Sequence, residues 1–184
     1  MQPPRVWQGA FPWIGLVARL ATGGVWLVAG AIKLPDPYES ISAVRAYEVL
    51  PEALVPAVGY LLPVVEVAIG LLLILGLLTR TSSVASAILF AVFVAGIASV
   101  WVRGIEIDCG CFGGGGEKEG ASAEYPLEIA RDLGLMLLSV WLVWRPRTRW
   151  ALDNMLFRSS ERGPERNDDG EEPAEEERAG HPVR

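Results

Sequence analysis

Histidine occurs once and cysteine twice in these 184 residues. The lone histidine, His181, lies in a Glu-rich C-terminal tail. A tetrahedral zinc site wants four nitrogen or sulfur ligands, so no metal site is expected within one chain. A basic stripe is also missing. Formal net charge is −6, and the segment Ser159–Arg184 holds nine acidic and four basic residues, which leaves the body near neutral. A nucleic-acid partner therefore has no support. The N-terminus lacks the basic leader of a secretory signal, since only Arg5 precedes Trp13 and Arg19 interrupts the apolar run. Ala29-Gly30-Ala31 looks like a cleavage site, but an uncleaved first helix is the expectation.

Apolar residues are abundant, at 51% of the chain. They concentrate in four blocks, Trp13–Ala31, Ala57–Leu78, Val84–Val102 and Pro126–Trp144. At about 1.5 Å per residue each block crosses a hydrocarbon core of roughly 30 Å. A single small domain could not bury four such helices in water. The expected fold is all-α: a polytopic membrane protein with a four-transmembrane-helix bundle. Residues 1–12 form a short N-terminal segment, 13–146 the membrane domain and 147–184 a tail. The tail is poor in apolar residues and rich in Glu, Pro and Gly, so disorder is expected from about residue 159.

Four spans put the N-terminus, the second loop and the C-terminus on one side. That side carries Arg5, Arg80, Arg145, Arg147, Arg149 and Arg158, against Lys33, Arg45, Arg103 and Lys118 opposite. The positive-inside rule then makes both termini cytoplasmic. Loop one (Ile32–Pro56) and loop three (Arg103–Tyr125) face outward from a plasma membrane. In loop one, Pro35-Asp36-Pro37 breaks the first helix, and Tyr38–Leu50 reads as a short amphipathic helix closed by Pro51. The second loop, Thr79–Ser83, is short enough to make its flanking spans antiparallel neighbours.

Both cysteines sit in outward loop three, as Asp108-Cys109-Gly110-Cys111-Phe112-Gly113. Disulfides persist on that side. Positions two apart reach disulfide range only if the backbone bends, and Gly110 allows that. A bridge across one residue closes almost no loop, so it stabilises little. Strained, exposed disulfides are the exchangeable ones, which points to thiol–disulfide chemistry at Cys109 and Cys111. Buried small hydrophobes, metal ligands and a plain structural bond are the competing readings of the pair.

Ionisable residues also fall inside the spans, where they are costly and face a partner or a cavity. Arg19 lies about 18 Å below the outer end of its span and Glu66 about 14 Å below its own, so the two are expected to pair. Asp132, preceded by Arg131, lies about 9 Å down, near Lys33. Such pairs either fix helix registry or line a polar pocket.

Together these features resemble DoxX-like membrane proteins. The resemblance rests on Arg19, Gly30, Lys33-Leu34-Pro35-Asp36-Pro37, Tyr47 with Leu50-Pro51, and Pro63, Glu66, Gly70-Leu71-Leu72-Leu73 and Gly76. The Cys109–Gly113 loop followed by Arg131-Asp132 narrows it to the methylamine-utilisation MauE branch, over about residues 10–146. The resemblance implies a four-helix bundle similar to vitamin K epoxide reductase. It also implies a role in maturing a secreted, disulfide-rich amine dehydrogenase with a thioredoxin-like or DsbA-like partner. Those reductases carry Cys-x-x-Cys and further loop cysteines. This chain has one Cys-x-Cys, which argues against a complete relay within it. No bound cofactor is expected, and a quinone is the candidate electron acceptor. A non-enzymatic assembly factor and a transporter using an Arg19/Glu66 pocket are the rival functions.

Overall fold

The computed structural model describes residues 5–110 and 114–145, with side chains from Trp13 onward. The expected tail disorder, the cluster Arg147/Arg149, Arg158 and three loop residues (Cys111, Phe112, Gly113) lie outside the described residues. The chain is mostly helical. In order come α1 (Arg5–Lys33), α2 (Pro37–Ala46), α3 (Val55–Leu75), α4 (Thr79–Arg103), a hairpin of β1 (Ile107–Asp108) and β2 (Gly116–Glu117), and α5 (Tyr125–Trp144).

Among the described residues, three helices are long and apolar enough to cross a membrane: Trp13–Lys33 within α1, α3 and α4. The chain is thus a multi-pass membrane protein, consistent with a lipid bilayer around it. Helix α5 has 20 residues and packs along α4, but Glu128, Arg131 and Asp132 in its first half set it apart from those three.

Lipid tails are as apolar as leucine, so burial of apolar area does not hold such helices together, and close backbone approach does. Between α1 and α3 that approach uses glycine. A Cβ on Gly70 would stand 2.7 Å from Leu27 N, and one on Gly30 would stand 2.8 Å from the Pro63 carbonyl. Gly30 lies against Pro63 and Val67, and Gly23 against Gly70 and Ile74, so the two helices are antiparallel. Helices α4 and α5 are antiparallel too, with Ser86 Oγ 2.9 Å from Ser139 Oγ and the Trp101 ring against Tyr125. Trp26 Nε1 donates to Ser86 Oγ at 2.7 Å, tying α1 into that layer, and its ring packs on Phe90.

Two boundaries differ from the sequence reading. Thr79–Ser83 is not a loop but the first turns of α4, and the turn is Gly76–Leu78, with Gly76 at φ 69° and Leu78 at φ 49°. Ser82 and Ser83 donate to the Leu78 and Thr79 carbonyls, which satisfies their hydroxyls inside a helix. Helix α2 stops at Ala46 rather than Leu50. In a continued helix the Tyr47 carbonyl would need the N–H of residue 51, which is proline. The Arg103 guanidinium donates to that carbonyl instead, and Glu48 turns to φ 51°.

Candidate functional site

Cys109 and Gly110 follow the first strand of a hairpin in which Ile107 pairs with Glu117 and Asp108 with Gly116. Its base is fixed to α5 by Tyr125, whose buried hydroxyl accepts from Ile107 N at 2.9 Å and lies 3.0 Å from the Ile105 and Ile107 carbonyls. Ile97 and Val100 of α4 close an apolar cluster beneath it. Just before β1, Glu106 accepts from Gly120 N and Ser122 Oγ, which holds its carboxyl below the usual carboxylate range.

Helix α2 is the seat of the tip. Asp36 caps its N-terminus, accepting from the Tyr38 and Glu39 amides. Glu39 then accepts from Gly114 N at 2.7 Å, and the Tyr47 hydroxyl donates to the Cys109 carbonyl at 2.9 Å. Gly110, at φ 66°, and Gly115 lie so close to Ala43 that an added Cβ would stand 2.9 and 2.8 Å from its methyl. Asp108 Oδ1 accepts from Gly110 N at 3.1 Å, turning the chain just after Cys109. Lys118 bonds Glu124 at 2.7 Å, with Asp108 3.9 Å away. Those carboxylates, Glu124 first, hold its ammonium above the ordinary lysine value.

Against the sulfur itself stands Glu128 of α5. The Cys109 thiol donates to Glu128 Oε1 at 3.0 Å. Glu39 and Glu128 were not singled out by the sequence reading. A signal for Glu128 was present: it lies four residues before Asp132, on the same face of one helix.

The intramembrane charges arrange differently from expectation. Glu66 pairs with Lys33, Nζ to Oε1 2.6 Å, with both side chains buried. The antiparallel register explains why. Gly30 faces Pro63–Val67, which brings Lys33 level with Glu66. Arg19, also buried, lies 14 residues further along α1, about 21 Å away. The expected Arg19–Glu66 pair is therefore not formed. Arg131 Nε donates to its neighbour Asp132 at 3.0 Å. Asp132 does lie at the level of Lys33. Counting seven residues, two turns, from Trp26, Ser86 and Ser139 toward the hairpin reaches Lys33, Phe93 and Asp132, and Lys33 Nζ is 5.6 Å from the Phe93 ring. Glu66 Oε2 and Asp132 Oδ2 are buried with no hydrogen-bond partner among the described residues. Among those residues no cluster of His, Cys, Asp and Glu could hold a metal ion.

The family described as methylamine utilisation protein MauE matches residues 11–145, taking in the hairpin and all the long helices. The chain belongs to the MauE family. It is 35% identical over 105 residues to the methylamine utilization protein MauE of Paracoccus denitrificans. That match covers 56% of this chain and 56% of the relative, so the chain spans little more than half of the relative's length. No solved structure matches the chain. The Cys109 thiol and its carboxylate neighbour Glu128 lie at the hairpin, and the buried Asp132 lies one turn further along α5.

Proposed function

We propose that this MauE-family protein assists thiol–disulfide exchange on the outer side of the membrane, with Cys109 and Cys111 as the exchanging pair. The observation that carries it is the seating of Cys109: a thiol at a hairpin tip, braced from α2 and α5 and half-buried rather than packed in the core. A structural cysteine gains nothing from such a scaffold. An exchanging one gains a fixed angle of approach.

In this reading a thiolate of a thioredoxin-fold or DsbA-like partner attacks the oxidised pair. One sulfur of the pair leaves as a thiolate, and a mixed disulfide forms. The partner's second thiolate resolves it, leaving the partner oxidised and the pair reduced. A membrane quinone takes the two electrons and two protons that restore the pair. The partner's client is a secreted redox enzyme of methylamine utilisation, following the name of the relative. Helix α5 is the fourth span: it turns Asp132 inward and exposes Leu133 and Leu137, as a lipid-facing helix does. Both termini are then cytoplasmic. That Glu66 is bound by Lys33 far from Arg19 weighs against the transporter reading.

The test is capture. A Cys111→Ser chain in whole cells should accumulate a mixed disulfide with a thioredoxin-fold protein, and an impermeant thiol reagent should reach Cys109 from outside. Labelling only after lysis overturns the orientation. Absence of any mixed disulfide, from either single Cys→Ser form, overturns exchange.

A further inference from the structure

The hairpin presents a thiol, and α5 presents a carboxylate to it at 3.0 Å. The other charged and titratable groups around the hairpin are engaged elsewhere. Asp108 accepts from Gly110 N and faces Lys118, Glu39 accepts from Gly114 N, Lys118 binds Glu124 with its ammonium also within electrostatic reach of Glu128, Arg131 binds Asp132, and Tyr47 donates to a carbonyl. Glu128 alone among these is aimed at the sulfur. Its second oxygen is buried with no hydrogen-bond partner among the described residues. Helix α5 fixes it one turn above Asp132 and one turn below Glu124.

We propose that Glu128 is the acid–base partner of Cys109, so that the two groups share one proton. This rests on the exchange reading for its purpose, but not for its test. When Cys109 attacks a partner disulfide, its S–H proton passes to Glu128. The sulfur–sulfur bond of the partner breaks as the new one to Cys109 forms, and the departing partner thiolate takes the proton from Glu128. In the reverse step Glu128 protonates Cys109 as it leaves. No external oxidant enters either step. A carboxylate beside a thiolate repels it, so the reactive form is the one in which the proton has crossed to the carboxyl.

Proton sharing has a kinetic signature. Only the thiolate reacts with an alkylating agent. For an isolated thiol the thiolate fraction falls roughly tenfold per pH unit below its pKa. If the pair holds one proton across the window, the form with both groups deprotonated is scarce and the crossed form is a constant fraction of the singly protonated state, so reactivity levels off. The full chain in membrane vesicles, as Cys111→Ser so that one thiol remains, is treated with iodoacetamide between pH 5.5 and 7.5. The alkylation rate should change by less than about threefold across that window. With Glu128→Gln added it should fall about a hundredfold, while at pH 9 it equals or exceeds the rate with Glu128 intact. Glu128→Asp should keep a lower plateau, because the shorter side chain withdraws the base. A slope of about tenfold per unit with Glu128 intact overturns the proposal even if Glu128→Gln fails to accumulate. A plateau that survives Glu128→Gln also overturns it. Failed mixed-disulfide capture with the plateau intact would remove the exchange reading alone, and capture with no plateau would remove the role of Glu128 alone.

Discussion

Lys33 and Glu66 form the buried ion pair of the bundle, and each is costly without the other. Removing one partner of a buried pair costs about 3–5 kcal/mol, because the remaining charge stays uncompensated, whereas replacing both with apolar residues is near neutral. Lys33→Met and Glu66→Leu should therefore each destabilise the detergent-solubilised protein strongly, and the double change should recover most of the loss. Arg19→Gln and Glu66→Gln, by contrast, should add independently, which denaturant titration of the four chains of that cycle would show. Strong coupling there would mean that the register is wrong. Glu66 was legible in the sequence as a residue inside its span, and Lys33 as a charge at the end of the first span. Their pairing was not, because depth from each span's end ignores how far one helix slides on its neighbour. The contacts of Gly30 and Gly70 set that slide, and glycine leaves no hydrophobic trace to read.

Among the elements, α2 shows how two prolines organise the site. Pro63 cannot donate to the Gly59 carbonyl four residues back. Ser40 Oγ of α2 donates to that carbonyl at 2.8 Å, and Gly59 lets the Ile41 backbone lie against it. Pro51 similarly leaves the Tyr47 carbonyl to Arg103. Both orphaned carbonyls are thus taken by side chains from neighbouring elements, and α2 is docked where the hairpin needs it. Ser40→Ala should loosen α2 by about 1–3 kcal/mol, the cost of an unsatisfied buried carbonyl. Pro63→Ala, which restores the missing N–H, should abolish most of that penalty. Hydrogen exchange of the α2 amides would register both effects; an equal penalty in either background would contradict this docking. The amphipathic helix itself was readable from its periodicity and from Asp36 before Pro37. Its role as the seat of the hairpin was not, because that depends on contacts across more than 60 residues, such as Tyr47 with Cys109. The hairpin adds a pH dependence. The carboxyl of Glu106 is held below its usual value by Gly120 and Ser122, so its contribution is present at neutral pH. That contribution is lost as pH falls through the carboxylate range. Trypsin cleavage after Lys118 should accelerate between pH 6 and pH 4, relative to an unstructured substrate, and Glu106→Gln should flatten that change. A wild-type rate ratio that does not vary with pH would contradict it.

For the whole molecule, the helical class and three of the four expected spans were legible in the sequence, because an apolar run of about 20 residues meets the length and hydropathy that a bilayer demands. Helix α5 was the least legible, since its first half mixes Glu128, Arg131 and Asp132 with leucines. In three dimensions those charges serve the hairpin above and the Lys33 layer within. Apolar helices anchor the chain, α2 and the start of α5 converge at one end of the bundle, and the hairpin stands there. That arrangement amounts to a membrane-tethered redox site only if the cysteine pair exchanges. The most direct test is the redox state of Cys109 and Cys111 in the purified full chain, titrated against glutathione and dithiothreitol buffers and read as an alkylation mass shift. The account predicts a reversible two-electron transition with a midpoint well above about −300 mV, the level below which structural disulfides lie. A midpoint at or below that level, or a pair that never oxidises, would contradict it.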